Sequence, residues 1–274
     1  MEAGIHFKHW SNKGQALHFY GANGFPTACY QSLLEGLSQD YAVSTLHNRA
    51  TWPDQPIPKR VKWTLYADDL INFLETQGQG PVIGVGHSLG ATATVFAAIK
   101  RPDLFSQLVL IEPAMASPLL AKLLPIVPFS LKKNIQPIKY TVDKPELWSS
   151  TQAFYDDCRG RNVFKRIDDE NLNILAQSSL IAEEQAFTLA FPKLWEAKNY
   201  ASAPNLYKQL GQLKVPTTAI RGKPSLYFSQ ESWLQWQKVN PQSLFLEDQR
   251  FGHLMPLESP KDCLSLIKKG ITKS

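Results

Sequence analysis

The sequence has too few cysteines, too widely spaced, for a disulfide framework or a zinc site. Cys29, Cys158 and Cys263 are the three cysteines among 274 residues. Their number is odd, and no pair has the short spacing typical of metal ligands. We therefore expect no bound metal and a protein of a reducing compartment.

Long apolar runs are also missing. No stretch reaches the roughly 20 apolar residues that a membrane-spanning helix needs. The first ten residues, MEAGIHFKHW, lack the apolar centre of a signal peptide. These absences predict a soluble, cytoplasmic protein with no membrane span.

Positive charge is in excess but is not concentrated. The formal net charge is +5, and the densest basic sites are Lys132-Lys133 and Lys268-Lys269. A nucleic-acid-binding surface needs a richer basic stripe, so no nucleic-acid partner is expected and the excess favours anions only weakly. The chain also lacks G-x-G-x-x-G after a strand and lacks a P-loop, so we expect no cofactor.

Apolar periodicity predicts strands and helices that alternate along most of the chain. The predicted strands are 16–20, 41–46, 82–86, 107–112, 215–222 and 243–248. The predicted helices are 28–39, 64–76, 89–100, 229–239 and 258–269. This alternation indicates an α/β protein with a mainly parallel sheet and helices on both faces.

The alternation stops between about residues 114 and 208. This stretch is rich in Leu, Pro and aromatic residues and has no convincing strand, so it predicts a helical cap inserted over the sheet's C-terminal edge. The expected domains are a core, 1–113 and 209–274, and a cap, 114–208. Apolar residues that could line a pocket under the cap are Leu119, Leu123, Phe129, Phe154, Tyr155, Phe187, Phe191 and Trp195.

Residues 82–90 read VIGVGHSLG, a buried strand that ends in G-x-S-x-G and leads directly into an Ala/Thr-rich helix. Glycines two residues before and after Ser88 suit a sharp strand-to-helix turn that exposes the serine hydroxyl. The helix N-terminus then points its free N–H groups at any negative charge that develops there. The pattern predicts that Ser88 is a nucleophile.

Three motifs together resemble the α/β-hydrolase fold family, specifically its capped serine hydrolases: GANGFP (21–26), GHSLG (86–90) and FGHLMPLESP (251–260). The resemblance covers nearly the whole chain. It implies Ser88 as nucleophile, His253 as its base, and the backbone N–H groups of Asn23 and Leu89 as the oxyanion hole. Gly21 departs from the family, which often has histidine there. His87 is expected to point under the turn, in a structural role.

The acid of the triad is the open question. The family most often places it after the strand that ends AIRG, where Ser225 and Leu226 stand and neither is a carboxylate. Some members place it one strand earlier, and there the apolar strand QLVLIE ends in Glu112. We predict Glu112 as the acid. Asp248 or Glu247, and a dyad with no acid, are the alternatives.

Serine at the turn disfavours the dehalogenase and epoxide-hydrolase members of the fold, which use aspartate there. The resemblance implies a carboxylesterase that acts on small or medium apolar acyl esters through an acyl-enzyme. A carbon–carbon bond hydrolase or an amidase would use the same triad. The missing late acid and Gly21 leave open a binding protein that has lost catalysis. The expected partner is a small ester-like molecule, and the oligomeric state stays open.

Overall fold

A seven-stranded sheet forms the centre of the protein, as a computed structural model describes it for residues 6–223, 225 and 228–273. Its order is β1-β3-β2-β4-β5-β9-β10, and a separate three-stranded sheet has the order β6-β8-β7. The strands are β1 (Phe7–His9), β2 (Gln15–Tyr20), β3 (Tyr41–Leu46), β4 (Val82–His87), β5 (Phe105–Ile111), β6 (Leu147–Trp148), β7 (Leu180–Ala182), β8 (Phe187–Leu189), β9 (Thr217–Gly222) and β10 (Leu244–Asp248).

Within the large sheet β1 runs antiparallel to β3, and the other pairs are parallel. All six residues of β4 are buried, as are all those of β5 except Ser106. Such continuous burial is expected where helices cover both faces of a parallel sheet. The predicted fold class is confirmed.

Helices connect the strands and cover the sheet. They are α1 (Gln31–Leu37), α2 (Thr64–Gln77), α3 (Leu89–Lys100), α4 (Pro118–Leu123), α5 (Phe129–Lys132), α6 (Ile138–Asp143), α7 (Thr151–Arg159), α8 (Asp169–Ser178), α9 (Lys193–Tyr200), α10 (Tyr207–Leu210), α11 (Gln230–Val239), α12 (Met255–Glu258) and α13 (Pro260–Lys273). Short 3₁₀ helices cover Thr27–Tyr30, Arg49–Thr51 and Pro102–Leu104.

Two apolar clusters occupy the two faces of the large sheet. Along β5, Leu108 and Leu110 belong to the cluster that α2 and α3 cover, while Val109 and Ile111 belong to the one that α1 and α13 cover. This is the alternation of side chains expected along one strand. The sheet therefore has an apolar core on each face. Polar groups can lie at the edge formed by the C-terminal ends of the parallel strands.

The segment between β5 and β9 departs from the sequence prediction in one respect. Residues 114–208 were expected to contain no strand, yet β6, β7 and β8 lie there and pair with one another. Each has two or three residues, which is too short for a period-two pattern to stand out. In the described part of the chain, none of them joins the large sheet. The division into a core and a cap stays a prediction.

Buried histidines predict that the fold loses stability in mild acid. Burial lowers the pKa of His18, on β2, and of His87, on β4, to about 3. The unfolded chain takes up protons on both below its ordinary pKa of roughly 6.5, whereas the folded chain does not. Stability is therefore complete above about pH 6.5 and falls as the pH drops, by up to ~1.4 kcal/mol per pH unit for each histidine.

Urea unfolding at intervals between pH 5 and 8 checks this expectation. His18→Gln keeps an acceptor within reach of the Leu46 N–H group that donates to His18 Nε2 over 3.1 Å, and it should reduce the slope below pH 6.5. Above pH 7 the variant and the parent should show the same pH dependence. An unchanged slope below pH 6.5 would contradict the assignment to His18.

Candidate active site

Ser88 sits in a strained turn between β4 and α3. Its φ of 53° and ψ of −113° lie in a region that residues with a side chain rarely adopt. A Cβ atom on Gly90 would lie 2.0 Å from the carbonyl oxygen of Tyr20, so the close approach of α3 to β2 requires glycine there. The Ser88 N–H group donates to the carbonyl oxygen of Ile111 over 3.0 Å, which ties the turn to β5.

His253 lies in the loop after β10, with both ring nitrogens in hydrogen-bonding distance of a site residue. Its Nε2 atom is 3.1 Å from Ser88 Oγ, and its Nδ1 atom is 2.6 Å from Glu112 Oε2. An ionised carboxylate only accepts, so Glu112 selects the tautomer with the proton on Nδ1. Nε2 is then unprotonated and can take the proton of the serine hydroxyl.

Glu112 follows β5 directly and is 1% exposed. Its φ of 42° turns the chain sharply at the end of the strand. Oε1 accepts from the Gly222 N–H group over 2.8 Å, and Oε2 accepts from the Ser225 hydroxyl over 2.6 Å as well as from His253. These donors compensate for burying the carboxylate and hold it at one orientation.

The other two acid candidates lie in different contacts. Asp248 accepts from the Arg250 guanidinium over 2.7 and 3.0 Å, and this side chain holds the pKa of Asp248 below its ordinary value. Glu247 lies 3.4 Å from the Arg221 guanidinium and 3.9 Å from Lys223 Nζ. The structure thus brings Glu112 to His253 and pairs the other two carboxylates with cations.

Ser225 is a site residue whose role the sequence did not reveal. It stands where the family most often has its acid, and its hydroxyl binds the carboxylate that Glu112 supplies from the neighbouring strand. Its position after β9, where the family most often has the acid, was the available signal. Serine carries no charge, so the sequence did not show that it would bind the acid of another strand. Leu226, the other register, lies outside the described residues.

Two backbone N–H groups were predicted to form the oxyanion hole. Leu89 is the first residue of α3, and Asn23 lies in the loop after β2. Among the hydrogen bonds of the described residues, neither N–H group donates to another protein group. Unpaired donors at the start of a 12-residue helix and in the facing loop suit a negatively charged oxygen.

The side chain of Asn23 anchors its loop to the segment between β5 and β9. Its Nδ2 donates to the Glu196 carbonyl oxygen over 3.0 Å, and its Oδ1 accepts from Asn199 Nδ2 over 2.8 Å. Asn199 is fully buried and also accepts from the Tyr66 hydroxyl over 2.7 Å. Helix α9 therefore fixes the loop that presents the Asn23 N–H group.

His87 and Tyr30 link the histidine loop to the loop after β2. The His87 Nε2–H group donates to the His253 carbonyl oxygen over 2.8 Å, and the Tyr30 hydroxyl donates to His87 Nδ1 over 2.9 Å. That hydroxyl accepts from the Ala22 N–H group over 3.0 Å. The directions are consistent because burial keeps His87 neutral, with a pKa of about 3. A Cβ atom on Gly21 would lie 2.9 Å from the Tyr30 ring, so the ring occupies space that a larger residue at position 21 would need.

Tyr30→Phe should destabilise the fold and lower kcat. It leaves the Ala22 N–H group without its acceptor and His87 Nδ1 without its donor, which typically costs about 1–3 kcal/mol in the free energy of unfolding. We expect kcat to fall roughly tenfold, a change of about 1.4 kcal/mol, because both loops that carry site groups lose a constraint. Urea unfolding measures the first effect, and the rate of hydrolysis at saturating substrate measures the second.

Tyr20→Phe is the matched control. Tyr20 is equally buried, and its hydroxyl has no hydrogen-bond partner among the described residues. Its removal should leave stability and kcat nearly unchanged. Equal effects of the two variants would mean that the Tyr30 hydroxyl does not position the site.

The apolar side chains that were expected to line a pocket differ in their burial, and their place in a pocket stays a prediction. Leu119 and Leu123 are 66% and 45% exposed, while Phe191 and Trp195 are buried in a core cluster. Phe154 and Tyr155 pack against the cluster on the other face of the sheet.

No group of three metal-ligating side chains occurs in the part of the chain that the structure describes, nor does a helix there have the length and apolar character to cross a membrane.

Comparisons with known proteins concern the fold. The family model described as "alpha/beta hydrolase fold" matches residues 19–260. A lipase of Mycobacterium tuberculosis, LipV, is 39% identical over 72 residues, which are 26% of this chain and 25% of the lipase's length. The crystal structure of an E-2-(acetamidomethylene)succinate hydrolase superposes with a TM-score of 0.79 and 20% identity, over 97% of this chain and 94% of its own. A malate-bound thermophilic esterase of Thermogutta terrifontis superposes with a TM-score of 0.71 and 19% identity, over 97% and 92%.

Proposed function

Because the chain belongs to the alpha/beta hydrolase fold family, we propose that it is a serine hydrolase that cleaves carboxylic esters through an acyl-enzyme. One observation carries the proposal. An uninterrupted chain of hydrogen bonds runs from the Glu112 carboxylate through His253 to the Ser88 hydroxyl. Such a chain is what a serine needs to become a nucleophile at neutral pH.

Each group then has a defined task. Ser88 Oγ attacks the ester carbonyl carbon while His253 Nε2 takes the hydroxyl proton. The N–H groups of Asn23 and Leu89 stabilise the negative oxygen of the tetrahedral intermediate, each contributing about 3–4 kcal/mol. His253 returns the proton to the departing alcohol. A water molecule then gives a proton to His253 and attacks the acyl carbon, and His253 passes that proton to Ser88 Oγ as the acid leaves. Glu112 stabilises the imidazolium in both halves of the reaction.

We also propose that residues 114–208 act as the cap. The hydrogen bonds from α9 to the Asn23 side chain support this role, since they connect the segment to the candidate oxyanion loop. The apolar composition of the segment favours a small or medium apolar acyl group. An amide or a carbon–carbon bond next to a carbonyl would use the same groups, and matched p-nitroanilides test the amide alternative.

The test is labelling with a fluorophosphonate followed by a substrate panel. We expect the label on Ser88, located by peptide mass spectrometry, and its absence from Ser88→Ala. Purified protein should hydrolyse p-nitrophenyl esters from acetate to decanoate faster than matched p-nitroanilides. If Ser88 takes up no label and no substrate is turned over, the enzymatic role is contradicted and a binding protein on this fold is favoured.

A further inference from the structure

A cavity of about 720 Å³ lies apart from Ser88, between the loop before α2, helix α3, the helices α4 and α5, and the end of α9. None of Ser88, Glu112, His253 and Asn23 lines it. Its volume is in the range of small-molecule sites. The mechanism proposed above gives this cavity no role.

The lining of the cavity is strongly positive. Six cationic side chains line it and no carboxylate does; the cations are Lys59, Arg60, Lys62, Lys122, Lys132 and Lys198. None of these six takes part in an ion pair within the described chain. Six like charges around one space repel one another, whereas each of them would be attracted to an anion bound in that space.

Lys132 is the least exposed of these cations. It is 8% exposed, and its ammonium group donates to the Ala201 carbonyl oxygen over 3.0 Å. An ammonium has three donors, and no second acceptor for them occurs among the hydrogen bonds of the described residues. Burial and the neighbouring Arg60 lower the pKa of Lys132. A buried cation without a counter-charge is costly, and a bound anion would supply the missing charge.

Most of the remaining lining is apolar, with Thr64, Ser202 and Asn205 as its polar residues. Trp63, Phe96, Val127 and Phe129 line the same space, and the bound group must therefore offer an apolar body as well as a charge. Residues between 118 and 132 form one wall, and the chain from 118 to 140 contains four lysines and no carboxylate. Several large apolar side chains of this stretch are exposed, namely Leu119, Leu120, Leu123, Ile126, Leu131, Ile135 and Tyr140.

We propose that this cavity binds an anionic amphiphile in which a phosphate head group is joined to an apolar chain. Lysine is a common point-charge ligand of phosphate. Phosphate, with up to two charges and several acceptor oxygens, suits six cations better than a single carboxylate does. Lys132 and Arg60 contact the head group, and the apolar wall covers the chain. The site is separate from the catalytic groups and does not depend on their activity.

Isothermal titration with octyl phosphate below its micelle concentration tests the proposal, with octanol and inorganic phosphate as the separate halves of the ligand. We expect octyl phosphate to bind at least tenfold more tightly than either half. Vesicles of phosphatidylcholine with and without phosphatidate form a second arm, which distinguishes a membrane lipid from a free amphiphile as the source. Binding in either arm must depend on Lys132.

Lys132→Met should weaken binding at least tenfold, and Arg60→Gln, an exposed change with little effect on folding, should weaken it about threefold. Lys13→Gln removes an exposed lysine that does not line the cavity and should leave binding unchanged. Ser88→Ala should also bind normally, which separates this site from the proposed function. If Lys132→Met does not fold, the double variant Arg60→Gln/Lys122→Gln takes its place and should weaken binding of octyl phosphate at least tenfold. Binding that survives these cavity variants, binding that Ser88→Ala abolishes, or no binding in either arm would overturn the proposal.

Discussion

Ser88→Ala is expected to lower kcat/KM for a p-nitrophenyl ester by at least about 10³-fold. Alanine has no atom to attack the carbonyl, and the oxyanion donors and His253 that remain cannot replace a covalent step. Hydrolysis under single-turnover conditions measures the residual rate. A variant that keeps more than a tenth of the parent activity would exclude Ser88 as the nucleophile.

Stability should hardly change in the same variant. Alanine meets the same backbone strain as serine at a φ of 53°, and the bonds of the turn are made by backbone atoms, such as Ala114 N–H to the Ser88 carbonyl oxygen over 3.1 Å. The lost contact is the one to His253. Ser106→Ala, an exposed serine on β5, is the control for a serine change elsewhere. A large fall in melting temperature for Ser88→Ala alone would mean that lost activity reflects unfolding.

The sheet was predictable because its central strands carry strong local signals. The strands β4 and β5 are apolar on both faces, and the loops around them contain glycine and proline, so periodicity locates them within a residue or two. The first strand, Phe7–His9, was not predicted because three residues at an edge carry no readable pattern. The strands β6 to β8 were missed for the same reason, since their existence depends on pairing within the inserted segment.

Some residues of the candidate site also carry local sequence signals, whereas others are placed by contacts between distant parts of the chain. The motifs around Ser88 and His253 are local: the G-x-S-x-G spacing indicated Ser88, and the resemblance of FGHLMPLESP to the family's histidine loop indicated His253. Glu112 was preferred to Asp248 because it ends an otherwise apolar strand, but the sequence did not show that Arg250 binds Asp248. The contact of Asn199 with Asn23 spans 176 residues, and the bond between Tyr30 and His87 spans 57. Such contacts are set by how the layers pack, and no local pattern predicts them.

Glu112→Gln is expected to lower kcat by roughly 10²–10⁴ with little change in KM. Glutamine keeps the shape and can still accept from the Gly222 N–H group, but its amide donates toward His253 Nδ1. The imidazole then favours the tautomer with the proton on Nε2, which cannot accept from Ser88 Oγ. The imidazolium that forms in the transition state also loses its counter-charge.

Two further variants separate charge from shape. Asp248→Asn removes a carboxylate that Arg250 binds and should change kcat less than threefold. Ser225→Asp in the Glu112→Gln background returns a carboxylate close to the lost one, because Ser225 Oγ lies 2.6 Å from Glu112 Oε2. We expect this double variant to recover at least tenfold in kcat. If Asp248→Asn is instead the crippling change, or Glu112→Gln stays within threefold of the parent, Glu112 is not the acid. A recovery by Ser225→Asp would mean that His253 needs a negative charge at Nδ1 and accepts it from either strand.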